Sequence, residues 1–240
     1  MKIDGTDIQE YGAVQHSVTP GYITYSNKSE WVEGAGSPIW KKSTIGFQTL
    51  KICLLMKGTD REAIWENGSR LLAKLQKPVE LQCDGFQHYF TGILKNVEQA
   101  EMSLQHWHKM TLQFEGYKHD GTRVVTCDEN TKSFMVENVG TLETPVRIQL
   151  VPSIGKVSLT IQGLTRDGRG NLCDLTISNL TKEKVVIIDG ESGRITEDGS
   201  NKYPDIKEIW SMPSLMPGEN RITLSQDGVK VKLEYKARYI

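Results

Sequence analysis

The run His106-Trp107-His108 is the one short cluster of side chains in this sequence that is suited to metal chemistry. Residues two apart on a β-strand project from the same face, so the two imidazoles would supply two of the ligands that zinc prefers. That face also carries the apolar residues Leu104 and Met110, and the sequence places no further ligand nearby. We therefore predict half-buried structural histidines and no metal site. Trp107, on the opposite face, is a candidate contact residue.

Motifs for nucleophiles and phosphate-binding loops are missing: there is no G-x-S-x-G, no G-x-x-x-x-G-K-[ST] and no H-E-x-x-H. Gly34 and Gly36 begin like a dinucleotide fingerprint but lack the third glycine and the strand-to-helix context. The loop Asp167–Asn171 resembles a calcium loop, yet Arg169 occupies a position that needs an oxygen ligand. A glycosidase needs only two well-placed carboxylates, so the 30 acidic residues leave that alternative open. Without a motif we predict no enzyme and no cofactor.

The four cysteines, Cys53, Cys83, Cys127 and Cys173, are spread along the chain with no C-x-x-C pair. Zinc ribbons need paired spacing, and disulfide scaffolds have a denser pattern. We predict four reduced, mostly buried thiols.

The segment Tyr25–Ile45 is the most informative irregular region. It has little periodicity and lies between two predicted strands. Loops of that length inside compact domains are usually functional or disordered. It carries Trp31, Ile39 and Trp40 among small residues, and tryptophan is enriched at interface hot spots. We predict an arm that contacts another chain; the alternative is that both tryptophans fold back onto their own sheet.

One helix and many strands must position these residues. The helix follows Thr59, which with Glu62 has the form of a capping box, and it ends before Pro78. Its apolar face comprises Ile64, Leu71, Leu72 and Leu75. Gly68, in the middle, should cost about 1 kcal/mol relative to alanine, so packing must hold this helix.

The remaining elements read as strands. The dipeptide Asp84-Gly85 predicts a hairpin whose two turn residues have positive φ. Leu104, Met110, Leu112 and Phe114 fall on one side at a period of two. Residues 1–120 therefore predict a β-sheet with one helix packed across it.

The second half, residues 121–240, contains short strands with no helix, which indicates a β-sandwich or jelly roll. Asp227-Gly228 is expected to join the last two strands. In the final strand the four alternating residues Val229, Val231, Leu233 and Tyr235 should face inward. A rigid Pro217-Gly218 turn precedes the penultimate strand.

Composition limits the classes of partner. The 240 residues carry a formal net charge of −1, with 38% hydrophobic and 25% charged residues, so no global field attracts nucleic acid or anionic lipid. No apolar run approaches the roughly 20 residues that span a bilayer. The first residues include Asp4, Asp7 and Glu10 where a signal peptide would be apolar. We expect a soluble protein made in the cytoplasm, with no membrane partner.

Six segments of the first half keep an order and spacing that resemble the amino-terminal domain of the distal tail proteins of siphophages. They are MKIDGTDIQEYG, EWVEGAGSP, IGFQTLKICLLMKGTDREAI, SRLLAKL, DGFQHYFTGILK and WHKMTLQFEGY. The second half resembles, more loosely, the family's galectin-like β-sandwich domain, and its best marker is the P-G-x-N turn of LMPGENRITLS.

The resemblance implies a structural virion component of a phage or prophage: a homohexameric baseplate hub ring at the tail tip that joins the tail-tube protein and the tape measure protein to the tail-associated tip protein. In that family an extended arm embraces the neighbouring subunit. Here the role falls on Ser29–Thr44, with Trp31, Glu33, Ile39 and Trp40 as interface residues. DNA would pass through the lumen without specific binding, and the outward sandwiches could support a receptor-binding protein or bind a saccharide.

The main rival is a carbohydrate-binding module, since β-sandwiches often bind sugars through exposed aromatic residues. Trp210 and Tyr203 could form such a platform. We expect them to close the core of the second domain instead.

Overall fold

The structure is a computed structural model that describes residues 1–34, 36–102, 106–207 and 209–240. The chain divides into two compact units, one formed by Met1–His119 with Ile240 and the other by Asp120–Tyr239. Strands dominate both units, and the described part of the chain contains one α-helix. The predicted class, mainly β with one packed helix, is therefore confirmed. No described helix is long and apolar enough to span a membrane.

The first unit contains a sheet with strand order β2-β1-β7-β8-β9-β6-β3, together with a separate two-stranded ribbon, β4-β5. Gln15 exchanges two hydrogen bonds with the backbone of Asp84, of 3.0 and 2.9 Å, and so ties the edge strand β3 to the connection between β7 and β8. The elements are β1 Lys2–Ile3, β2 Thr6–Asp7, a 3-10 turn Ile8–Tyr11, β3 Ala13–Pro20, β4 Tyr25–Glu30, β5 Ile39–Ile45, β6 Gln48–Lys57, α1 Arg61–Lys74, β7 Val79–Gln82, β8 Tyr89–Glu101 and β9 Trp107–His119.

Helix α1 covers the sheet with the predicted apolar face, but its cap differs from the prediction. Asp60, not Thr59, is the N-cap residue, and its carboxylate accepts a hydrogen bond of 2.8 Å from the Ala63 amide. Asp60 thus satisfies a free N–H of the first turn, the role that the predicted capping box assigned to Thr59. Gly68 is buried, and a Cβ there would lie 3.2 Å from Met110 Cε. Close packing on β9 thus accounts for a glycine in the helix interior.

The β7–β8 hairpin forms, with Val79 opposite Gly92, but its turn is not the two-residue type that Asp84-Gly85 predicts. Gly85 has a φ of +85°, whereas Asp84 does not adopt positive φ. The connection spans residues 83–88, and Asp84 instead binds the amino group of Met1 at 2.7 Å. On β9, Met110, Leu112 and Phe114 are buried as predicted, and Leu104 lies outside the described residues.

The second unit is a β-sandwich. One sheet has the order β10-β21-β12-β15-β16-β17, with β19 paired to β12, and the other has the order β11-β20-β13-β14-β18. The elements are β10 Arg123–Cys127, β11 Ser133–Asn138, β12 Thr144–Pro152, β13 Lys156–Arg166, β14 Leu172–Leu180, β15 Val186–Asp189, β16 Arg194–Glu197, β17 Ser200–Asn201, a 3-10 turn Tyr203–Asp205, β18 Ile206–Lys207, β19 Ser214–Leu215, β20 Gly218–Leu224, β21 Val229–Tyr235 and β22 Arg238–Tyr239.

The two sheets share one apolar core. Leu150 of the first sheet and Leu175 of the second are both completely buried within it. The inward residues predicted for β21 are all buried, which confirms the alternation. Asp227-Gly228 does join β20 to β21, but these strands lie in different sheets, so the turn crosses the sandwich and does not close a hairpin.

Candidate functional site

The segment predicted to be irregular, Tyr25–Ile45, is instead a β-ribbon, here called the arm. Strands β4 and β5 pair antiparallel with Tyr25 opposite Ile45 and Glu30 opposite Ile39, and the register shifts between Lys28 and Ser29. The apolar and polar residues of the arm do not alternate because neither face is buried, and for that reason the sequence shows no strand period.

The arm is rooted in the ladder of β3 and β6. Gly21 donates its N–H to Thr49 O and Gly46 donates its N–H to Thr24 O, both at 2.8 Å. A Cβ on Gly21 would collide with Thr49 Oγ1, and one on Gly46 with Thr24 Oγ1. These two glycines therefore permit the close approach of the chains at the base of the arm.

The predicted interface residues lie on the arm and face solvent. Trp31 is 72% exposed, Trp40 is 65% exposed and Ile39 is 52% exposed. Glu33 is also exposed. The indoles thus do not fold back onto the sheet of their own unit. Single exposed apolar residues are ordinary, but several on one short ribbon indicate an interaction surface.

Sequence reasoning missed part of this apolar surface. Tyr22, Tyr25 and Phe47, at the root of the arm, are 96%, 55% and 61% exposed. Tyr22 directly follows Gly21 and Phe47 directly follows Gly46, and these positions were the available signal. The exposed aromatic surface therefore extends past Ser29–Thr44 to the point where the arm leaves the sheet.

The two histidines do not form a site. His108 is buried on β9 and lies within hydrogen-bond distance of the Gln99 amide nitrogen, at 3.1 Å from Nδ1. His106 lies in the turn before that strand and is exposed. Among the residues that the structure describes, no cluster of His, Cys, Asp or Glu could hold a metal ion. Trp107 is partly buried, and the ammonium of Lys57 lies 5.7 Å from its ring centroid.

The loop Asp167–Asn171 is a hairpin turn between β13 and β14. The Asp167 carboxylate accepts hydrogen bonds from the Arg169 N–H, at 2.8 Å, and from both the backbone and side-chain nitrogens of Asn171, at 2.9 Å. The hydrogen bond from the Asn171 side chain is the main cause of the lowered pKa of Asp167, which the backbone donors lower further. Because the Asp167 carboxylate accepts these hydrogen bonds from within the turn, we interpret its role as stabilising the turn.

All four cysteines are free thiols. Cys53 and Cys83 are buried, and Cys127 and Cys173 are partly exposed. Burial raises the pKa of Cys83 to about 11, so its thiol stays protonated near neutral pH.

Trp210 and Tyr203 do not close the core of the second unit, and that expectation is wrong. Trp210 is 68% exposed and Tyr203 is 43% exposed. Tyr203 lines an open groove of about 660 Å³ together with Asn201 and Arg194. The core is closed by aliphatic residues from both sheets, which leaves these two rings at the surface.

Comparison with known proteins connects this architecture to phage tails. Residues 139–239 match the family model described as siphovirus-type tail component, C-terminal domain. Comparison with curated proteins finds no match. The fold resembles that of the Dit protein of phage SPP1, described as a paradigm of the hub adsorption apparatus in phages that infect Gram-positive bacteria. The TM-score is 0.74 and the identity 15%, over 99% of this chain and 98% of that one.

A chain of the phage P2 baseplate, in its activated conformation with calcium, is also similar. Its TM-score is 0.56 and its identity 13%, over 98% of this chain and 94% of that chain. These likenesses concern the fold along nearly the entire chain. The resemblance to siphophage tail proteins that the sequence indicates is confirmed by the family model for residues 139–239 and, as a likeness of fold, by the Dit structure.

Proposed function

We propose that this chain is a structural component of the distal end of a long non-contractile phage tail. In this proposal six copies form a hub ring that connects the tail tube to the tip apparatus, and the chain catalyses no reaction. The protein would be made in the bacterial cytoplasm and would act in the virion tail tip. The main support for this proposal is the arm, which exposes two tryptophans and has no side chain of β4 buried in its own unit.

The arm favours a ring because the arm of one copy would contact a different surface on its neighbour, not the neighbour's arm. An arm on one copy and a receiving patch on the next make a heterologous interface, and such interfaces close when the rotation per subunit divides a full turn. Tryptophans are the residues most often found at the energetic centre of protein interfaces. Trp31, Glu33, Ile39 and Trp40 are the proposed contact residues.

The other partners follow from the same proposal. The ring would contact the tail-tube and tape measure proteins on one side and the tail-associated tip protein on the other. The formal net charge of −1 is consistent with a lumen through which DNA passes without being held, since tight binding requires several phosphate contacts by Lys or Arg.

The size of the purified chain tests the ring. Six subunits of 27.0 kDa give a particle of about 160 kDa. We expect native mass spectrometry to find this mass and negative-stain images to show six-fold rings. A species that stays at the mass of one subunit at the highest attainable concentration would contradict the proposal.

The alternative function is that of a carbohydrate-binding module, and the exposed rings of Tyr203 and Trp210 favour it. An aromatic face flanked by the polar side chains of Asn201 and Arg194 is a chemically suitable sugar platform. A glycan array of the full chain would decide: specific binding that the Tyr203→Ala and Trp210→Ala variants abolish would support the alternative.

A further inference from the structure

The first unit has an apolar cavity at the root of the arm. It has a volume of about 170 Å³, and its lining includes residues at the end of β3 and the start of β6. Its apolar walls are Val18, Pro20, Leu50, Leu81, Phe86 and Phe90. Phe86 is 44% exposed, so one wall is incomplete in the isolated chain. Apolar concavities of this kind are the usual receptors for a protruding side chain.

A buried polar group in the same cavity lacks a partner. Gln48 lines the cavity and is 9% exposed. Its Nε2 donates to Gly21 O at 2.9 Å, which fixes the orientation of the amide because that carbonyl can only accept. The opposite atom, Oε1, is buried with no hydrogen-bond partner. A buried acceptor without a donor is unusual in a native structure, and a donor that the single chain does not supply would explain it.

The tip of the arm is complementary to this cavity. Trp31 offers an apolar ring with one N–H, which is a donor only. Glu33, two residues further, is exposed. The lining of the cavity includes Lys118 and His88. With an indole in the cavity, the Glu33 carboxylate two residues further along the chain could approach the ammonium of Lys118, which also donates a hydrogen bond to Ile240 O at 3.1 Å.

The arm of the same copy cannot supply this contact. Strand β4 has six residues, and at roughly 3.3 Å per residue it places its outer end about 20 Å from the root. Trp31, just past that end, is 72% exposed. A Trp31 indole that enters this cavity must therefore come from another copy of the chain.

We propose that the cavity is the receptor for Trp31 of a second copy of this chain, with the indole N–H satisfying Gln48 Oε1 and Glu33 of that copy facing Lys118 and His88. This proposal rests on the proposed function and makes it specific. Each copy then presents a tip about 20 Å from its own receptor, so every arm seats at the root of the next arm and the contact repeats around a ring.

A photo-crosslinker tests the contact directly in the full chain. Trp31 is replaced by p-benzoylphenylalanine, an aromatic residue that forms a covalent bond with adjacent C–H groups on irradiation. We expect dimers and higher multimers on a denaturing gel, with adducts mapped by mass spectrometry to peptides that contain Val18, Leu50 or Phe90. The same replacement of Trp210, which is also well exposed, should give no such adducts.

A cavity-filling variant gives an independent readout. Val18→Phe should reduce the population of assembled rings about tenfold or more, as expected for blocking a hot-spot pocket. Val124→Phe, at a half-exposed position of the second unit, is the control and should leave rings intact. Circular dichroism and thermal unfolding of both variants would report whether Val18→Phe folds, and the crosslink map stands without it.

The outcomes separate the two proposals. If rings form and the Trp31 adducts map to another surface of the neighbour, the receptor assignment is overturned while the ring and its arm stand. If rings form and no intermolecular adduct appears, the arm contact and the receptor both fail. A chain that neither assembles nor crosslinks overturns the ring together with the receptor.

Discussion

The side chain of Asn220, which is buried in the second unit, stabilises the turn before β20 by hydrogen bonds to the backbone of that turn. Its Oδ1 accepts from the Met216 N–H at 2.9 Å, and its Nδ2 donates to the carbonyls of Met216 and Gly218 at 2.8 and 2.9 Å. The side chain is 6% exposed. The P-G-x-N pattern noted in the sequence is therefore explained by an amide that replaces missing backbone hydrogen bonds, while Gly218 takes a φ of +90°.

Replacing Asn220 by alanine removes the hydrogen-bond partners of those part-buried backbone groups, so we expect a loss of about 1–3 kcal/mol in the free energy of unfolding. Urea denaturation followed by fluorescence measures it. Asn96→Ala is the matched control, because Asn96 is exposed and makes a single long hydrogen bond of 3.4 Å. Equal effects of the two substitutions would contradict the role assigned to Asn220.

Lys202 is a buried cation in the second unit. It is 6% exposed, and its ammonium lies 3.0 Å from both Glu197 and Asp205. Burial works to raise the pKa of Glu197, but hydrogen bonds from the Thr181 N–H and Lys202 outweigh it and lower that pKa. Hydrogen bonds from Asn179 and then Lys202 lower the pKa of Asp205.

The pH dependence of stability follows from those directions. A carboxylate whose pKa is lower in the folded state stabilises the fold above its unfolded pKa and loses that effect as the pH falls through the folded value. Lys202→Met should therefore destabilise the protein near neutral pH and do so less in acid, as the pH falls below the ordinary pKa values of 4.5 for Glu and 3.8 for Asp. Chemical denaturation of both proteins across this pH range measures the difference, and a pH-independent difference would refute the assignment.

At the scale of elements, helix α1 packs on a core and the arm does not. This difference decided which of the two could be predicted from the sequence. Helix α1 is fixed by the burial of Ile64, Leu71 and Leu75 against the sheet, and that periodic face made it predictable. The arm has no buried face. Its strands depend on mutual backbone hydrogen bonds and on the backbone hydrogen bonds of Gly21 and Gly46 at its root. A ribbon of this kind has no hydrophobic period by which the sequence could predict it.

The cap of α1 offers a direct comparison of two adjacent residues. Asp60→Ala removes the hydrogen bond to the Ala63 amide and should lower the free energy of unfolding by about 1 kcal/mol. Thr59→Ala should have almost no effect, since its hydroxyl is 3.5 Å from Asp60 and caps nothing. Thermal unfolding of both variants measures this, and a larger effect at Thr59 would restore the capping box predicted from the sequence.

At the scale of the whole molecule, the proposed assembly turns on exposed tryptophans. The double variant Trp31→Ala, Trp40→Ala should lose rings about tenfold or more while each subunit keeps its stability, because neither indole contributes to a core. Trp210→Ala removes an equally exposed indole from the second unit and should leave the rings unchanged. Native mass spectrometry of the three proteins makes the comparison, and intact rings in the double variant would remove the arm from the assembly.

The sequence by itself determined the features that depend on local periodicity and composition. The single helix, the buried alternation of Val229, Val231, Leu233 and Tyr235, and the mainly β class all follow from which side chains must leave water. The arm was identified as an aromatic-bearing excursion, and contact with another chain remains a prediction.

Only the tertiary structure decided how distant segments meet. It placed β20 and β21 in different sheets, moved Trp210 and Tyr203 from an expected core to the surface, and brought Val18, Leu81 and Phe90 around one cavity. The physical reason is that a sequence pattern states which residues avoid water but not which partners bury them, since strand pairing between distant segments is set by the packing of the complete sheet.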